Sequence, residues 1–101
     1  MSTPRLTEQQ LLQVLPILSR NLHNIYVTEH AEQRMNERNI TYDDVLTALH
    51  KPMQLVDVRY DEVFKGYKYK ITGVDKNKEV VVAIDGVKRH IHIVTVINKL
   101  L

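Results

Sequence analysis

The chain has 101 residues, 44% hydrophobic and 26% charged, which is enough apolar content for one core and too little for two. Three glycines and three prolines exclude collagen-like and low-complexity chains, and the lack of cysteine excludes disulfides, a thiolate nucleophile and a zinc ribbon. The net charge of +2 is unevenly spread, with four Lys/Arg against six Asp/Glu in residues 1–50 and ten against six in residues 51–101. Arg5, Glu8, Gln9 and Gln10 interrupt the N-terminal apolar runs, so no secretory leader is expected. No stretch nears the ~20 apolar residues of a membrane span. A cytoplasmic protein is the expectation.

Thr7 and Gln10 form a capping-box pattern ahead of Leu11, Leu12, Leu15, Leu18 and Leu22, whose spacing predicts a helix from Thr7 to Leu22. Pro16 is expected to kink or restart it. This segment, residues 1–25, reads as an added helix that could also serve a homodimer through Leu11–Leu22. Ile25 to Val27 reads as a short extended stretch. Thr28 then caps a second helix over Glu29 to Arg38. Asn39 suits the left-handed residue that ends it, with Ile40 folding back as the apolar contact. Thr41 and Asp44 open a third helix that turns Val45, Leu46 and Leu49 inward and stops before Pro52.

Beyond Pro52 the apolar period changes from about 3.6 to 2. Gln54–Arg59, Gly66–Val74, Glu79–Asp85 and Lys88–Asn98 are predicted as four strands, with turns at Asp75–Lys78 and at Asp85-Gly86. The expected fold is a single α+β domain, its N-terminal helices packed on one face of a four-stranded, mainly antiparallel sheet.

His30, Arg34 and Arg38 recur every four residues and so advance only about 40° per step along one helix. The two arginines repel by a few tenths of a kcal/mol. No acid stands at the i−4 position of Arg34, so the stripe asks for an anion from elsewhere. A phosphate suits it, because guanidinium groups stay charged and bind phosphate bidentately. The plainer alternative is an internal ion-pair network with Asp57, Asp61 or Glu62 from the sheet.

On the last strand, His90 and His92 alternate with Ile91 and Ile93, and the same parity adds Lys88 to the histidine face. Lys68 and Lys70 alternate in the same way with Tyr69 and Ile71. If those polar faces coincide, Lys68, Lys70, Lys88, His90 and His92 form one surface for an RNA backbone; otherwise they are a solvated sheet face. Tyr67 and Tyr69 would stack on bases if exposed, whereas core packing is the ordinary role of such rings. His90-x-His92 could be half of a metal site, but spacing selects no third ligand, so no metal and no cofactor are expected.

The run from Tyr26 to Pro52 resembles a small-protein family with the pattern H-A-x-x-R-M-x-x-R-x-I-[ST]-x-x-D-V, matched here by His30, Ala31, Arg34, Met35, Arg38, Ile40, Thr41, Asp44 and Val45. Tyr69, Ile71 and Gly73 match its Y-x-I-x-G strand, and Ile93, Thr95 and Val96 its I-x-T-V strand. Asn39 replaces a usual glycine. The pattern looks related to RelE/BrnT-like toxins, metal-independent ribonucleases of toxin–antitoxin systems. That resemblance implies a helix-helix-sheet core over residues 26–101, an RNA substrate and an antitoxin or other protein partner. It implies RNA cleavage by attack of a ribose 2′-hydroxyl on its phosphate. His30 would be base or acid, Arg34 and Arg38 would hold the phosphate, and Thr95 would position it. The competing expectation is a module that binds RNA or protein on the same scaffold without cleaving.

Overall fold

The structure, a computed structural model, describes residues 4–101. It is α+β, with three α-helices and a five-stranded mixed sheet. Helix α1 (Glu8–Ser19) opens on the Thr7/Gln10 capping box. It runs through Pro16 and ends three residues before the expected Leu22, which lies instead in a single 3₁₀ turn, Leu22–Asn24. Strand β1 (Ile25–Val27) leads to α2 (Glu29–Glu37), capped by the Thr28 side chain at the Ala31 N–H. Asn39 ends that helix in the left-handed region at φ 54°, and the Ile40 N–H reaches the Met35 carbonyl at 3.0 Å. This is the closing bond of a Schellman-type cap, and asparagine tolerates the conformation that glycine usually supplies. Helix α3 (Tyr42–His50) opens on the Thr41/Asp44 capping box.

The strands β2 (Gln54–Asp61), β3 (Gly66–Thr72), β4 (Lys78–Asp85) and β5 (His90–Asn98) form an antiparallel meander. The expected four-stranded sheet gains a fifth member, because β1 pairs in parallel with β5 and extends the order to β1-β5-β4-β3-β2. The extended stretch read at Ile25–Val27 is this strand, but three residues are too few for a period-2 pattern, so its place in the sheet shows only in the pairing with β5.

Helices α1 and α3 cover one face of the sheet. Leu11, Leu15, Leu18, Val45 and Leu49 meet Tyr69, Ile71, Val80, Val82, Ile91, Ile93 and Val96 in one core. Leu11, Leu15 and Leu18 of the α1 stripe are thus buried in the chain's own interior, whereas Leu12 is half-buried and Leu22 is exposed. Gly73 is buried where β3 leaves the sheet beneath α3; a Cβ there would stand 3.0 Å from the Ala48 Cα, so the helix can approach only because no side chain intervenes.

The last hairpin differs from the tight Asp-Gly turn that was expected. The loop is Gly86–Arg89, no glycine has positive φ, and Arg89 takes the left-handed conformation at φ 59°. The Asp85 carboxylate accepts the N–H groups of Val87 and Lys88, which organises a four-residue loop. The β2–β3 loop repeats this design, with Asp61 accepting from Phe64 N–H and Lys65 at φ 57°.

Candidate functional site

Helix α2 lies along β5 where β1 stops, and it takes over the partners that a longer β1 would have supplied. The Ile93 carbonyl accepts both the Thr28 N–H (3.2 Å) and the Thr28 hydroxyl (2.8 Å). Further along, the Val96 carbonyl accepts Arg38 Nη1, and the Asn98 side-chain amide donates to the Arg38 carbonyl at 2.9 Å. A sheet edge with unpaired backbone groups is costly when covered. These bonds fix the helix in register with β5, with Ala31 and Met35 buried. The neighbouring stripe of α2, about 100° around the helix, is thereby turned to a shallow depression.

That depression has a volume of about 510 Å³ and is lined by His30, Arg34, Arg38, Thr95, Ile97, Asn98 and Leu101. The four residues expected to carry chemistry from two distant segments thus surround one concave surface. Thr95 arrives there through a β-bulge. Val81 pairs with Thr95 but Val82 pairs with Ile93, so Val94 is left without an opposite residue. Strict alternation would have put Thr95 on the covered face with Ile91 and Ile93; the extra residue turns it to the open face and sends Val96 into the core.

The arginines are not waiting for carboxylates from the sheet. Arg34 pairs with Glu37 one helical turn on, at 2.6 Å, whereas Asp57 pairs with Arg59 and Asp61 with Lys68. The acid that Arg34 takes stands at its i+3 position and not at i−4. Arg38 is held in part by the Val96 carbonyl, so it has a structural duty beside any binding role. His30 is exposed.

Lys68, Lys70, His90 and His92 do share one face, the one away from α1 and α3. The register sets Arg59, Lys68, Ala83, His92 and Tyr26 in one row across all five strands, and Asp57, Lys70, Val81 and Thr95 in the next. Lys88 departs from expectation: it is in the β4–β5 loop, so strand parity does not place it. Tyr67 and Tyr69 are on the helix side, with Tyr69 buried and its hydroxyl accepting from the Leu6 N–H. A second depression, of about 260 Å³, is lined by Asp57, Arg59, Lys68, Lys70, Val81, Val94, Thr95 and Ile97. Thr95 and Ile97 belong to both depressions, which joins the α2 stripe to the lysine face in one continuous surface.

This face also holds acids. Asp61 is kept below the usual carboxylate range by the Phe64 N–H first and by Lys68 second, and Asp85 by the Lys88 and Val87 N–H groups. The sequence reading missed the aromatic cluster beside them. Tyr26 stacks on His92 with ring centres 5.5 Å apart and tilts against His90 at 4.5 Å; Phe64 meets His92 edge-on at 5.9 Å. Only β1 and the curled β2–β3 loop bring these rings together, although Tyr26 four residues before His30 was a usable signal.

Burial within this cluster holds the His92 pKa below its ordinary value, reinforced by the charges of His90 and Lys88 and opposed by Asp85. The unfolded chain therefore binds this proton more readily than the folded one, and stability falls as the pH drops below about 6.5. Urea unfolding between pH 7.5 and 5 is expected to show that loss in the parent and a flatter profile in His92→Gln.

A further depression, about 500 Å³ in volume and lined by Val27, Glu32, Met35, Asn36, Asn39, Ile40, Thr41 and Tyr42, offers no acid–base pair. Among the described residues no three or more His, Asp or Glu are grouped to hold a metal ion, and no helix is long and apolar enough to cross a membrane. No curated protein and no solved structure matches the chain. A family match covers residues 27–98, from the last residue of β1 through the end of β5, under the description "Domain of unknown function (DUF4258)". The match takes in α2, α3, the meander and, apart from Leu101, the residues that line the depressions, and leaves α1 outside; the chain accordingly belongs to the DUF4258 family.

Proposed function

We propose that the protein is a toxin-type, metal-independent ribonuclease whose site is the depression between α2 and β5. The observation that carries this reading is the convergence of one exposed imidazole, two guanidinium groups and a hydroxyl on a surface continuous with Lys68 and Lys70. The likeness of the His30–Val45 pattern to RelE/BrnT-like toxins supports it. His30 takes the proton of a ribose 2′-hydroxyl, and the oxygen attacks the adjacent phosphorus. The bond to the 5′-oxygen breaks and that oxygen takes a proton from water, leaving a 2′,3′-cyclic phosphate and a 5′-hydroxyl. Arg34 and Arg38 offset the charge that develops on the phosphoryl oxygens. The Arg34–Glu37 pair does not prevent this, since a solvent-exposed pair contributes only about 0–1 kcal/mol and yields to a phosphate. Arg38 has five N–H donors and gives one to Val96. Such a surface in a toxin is also the place for an antitoxin to cover.

Incubation of the protein with total RNA in excess chelator tests the reading. The expected result is cleavage with 2′,3′-cyclic phosphate ends. One observation favours a second reading, a binding module: a single imidazole lines the depression and both arginines already have partners. RNA bound tightly and recovered intact would select that reading.

A further inference from the structure

We propose that the Tyr26, Phe64, His90 and His92 cluster is a nucleobase-stacking platform, so that the ligand of this protein is single-stranded RNA lying along β5; this rests on the RNA reading above. The cluster is on the open sheet face, where Tyr26 and Phe64 are each 45% exposed although they touch the histidine rings. Rings buried for stability would be covered; these stay close to half exposed while in contact with one another.

The position of the cluster supplies the ligand's path. Tyr26 is beside His92 in the parallel β1–β5 pairing, and α2 continues the line of β1, carrying His30, Arg34 and Arg38 past Thr95 toward Asn98. From the His90–His92 rings to Thr95 is roughly 10–17 Å along the strand. The α2 stripe adds roughly 12 Å of cationic surface from His30 to Arg38. A few nucleotides of one strand span this distance, with a base on the rings and phosphates at the helix.

The charge on the open face argues for stacking there and against a purely electrostatic grip. Asp61 takes Lys68 at 2.9 Å and Asp57 takes Arg59 at 2.8 Å, so much of the local positive charge is compensated. Phosphate contacts alone gain little from such a face, whereas stacking is indifferent to that compensation. A duplex keeps its bases stacked on each other and has none to offer the rings.

The test uses a fluorescent 2′-O-methyl RNA nonamer, which cannot undergo 2′-hydroxyl attack, together with its fully abasic counterpart and a duplex of the same length. Anisotropy titrations are run with the parent, Tyr26→Ala/Phe64→Ala and the ring-retaining Phe64→Tyr, after matching their thermal unfolding. The parent is expected to bind the base-bearing single strand about 5- to 150-fold more tightly than the abasic strand. The double variant should lose that preference while holding the abasic strand as the parent does, and Phe64→Tyr should retain it. Equal affinity of the parent for base-bearing and abasic strands overturns the platform and leaves RNA binding standing, as does a double variant with undiminished preference or a parent that prefers the duplex. Binding of no strand at all removes the RNA reading and the platform together.

Discussion

Replacing His30 by alanine is expected to slow RNA cleavage by about 10²–10⁴-fold, the usual contribution of a positioned general base. Stability should hardly change, because His30 is exposed near the start of α2 and surface substitutions of this kind stay within about 0.5 kcal/mol. Arg34 is the companion test. Its loss is expected to lower turnover by about 10²–10³-fold, the scale on which one transition-state donor acts. Arg34→Ala also frees Glu37, whose carboxylate would repel phosphate, so the informative protein is Arg34→Ala combined with Glu37→Gln. Arg38 is a poorer probe. Its truncation leaves the Val96 carbonyl without that donor on a covered strand edge, at a cost of about 1–3 kcal/mol, so lost activity would mix chemistry with folding. Single-turnover cleavage with matched unfolding curves separates these cases. Parent-like rates in both His30→Ala and Arg34→Ala/Glu37→Gln would move the chemistry elsewhere.

The largest expected effect on stability is at Ile93. This side chain is fully buried, and on the sheet it is flanked by Val82 on β4 and Val27 on β1. Ile93→Ala should cost about 2–5 kcal/mol, from lost transfer energy and the cavity left behind. That is a large share of the 5–15 kcal/mol typical of a whole domain. Ile93→Val, with one methylene fewer, should cost only about 0.5–1.5 kcal/mol. Urea unfolding of the pair provides the measurement. A near-neutral Ile93→Ala would mean that Ile93 is not packed in the core. Because the Ile93 carbonyl also receives both donors of Thr28, any shift of β5 at this point is transmitted to the start of α2 and hence to His30.

The three α-helices, the left-handed Asn39 and the four long strands were legible in the sequence because each is written locally. Capping boxes join residues three apart, and helical and strand periods repeat within ten residues. The His30, Arg34 and Arg38 stripe was legible for the same reason, since one helix fixes their relative angle. The coincidence of Lys68 and Lys70 with His90 and His92 needed the register of β3, β4 and β5, which no single strand encodes.

What the sequence could not decide came from contacts between distant segments. Ile25–Val27 could be read as extended, but it becomes a fifth strand only because β5 offers it an edge. Phe64 reaches His92 only because an Asp61-organised loop curls back over the sheet. The position of Thr95 is the clearest case. Alternation along β5 assigns it to the buried face, and a single unpaired residue, Val94, reverses that assignment and sends Thr95 to the depression beside Arg34 and Arg38. A bulge is a property of two paired strands, so its effect on which side chain faces which solvent is settled only when the sheet has formed.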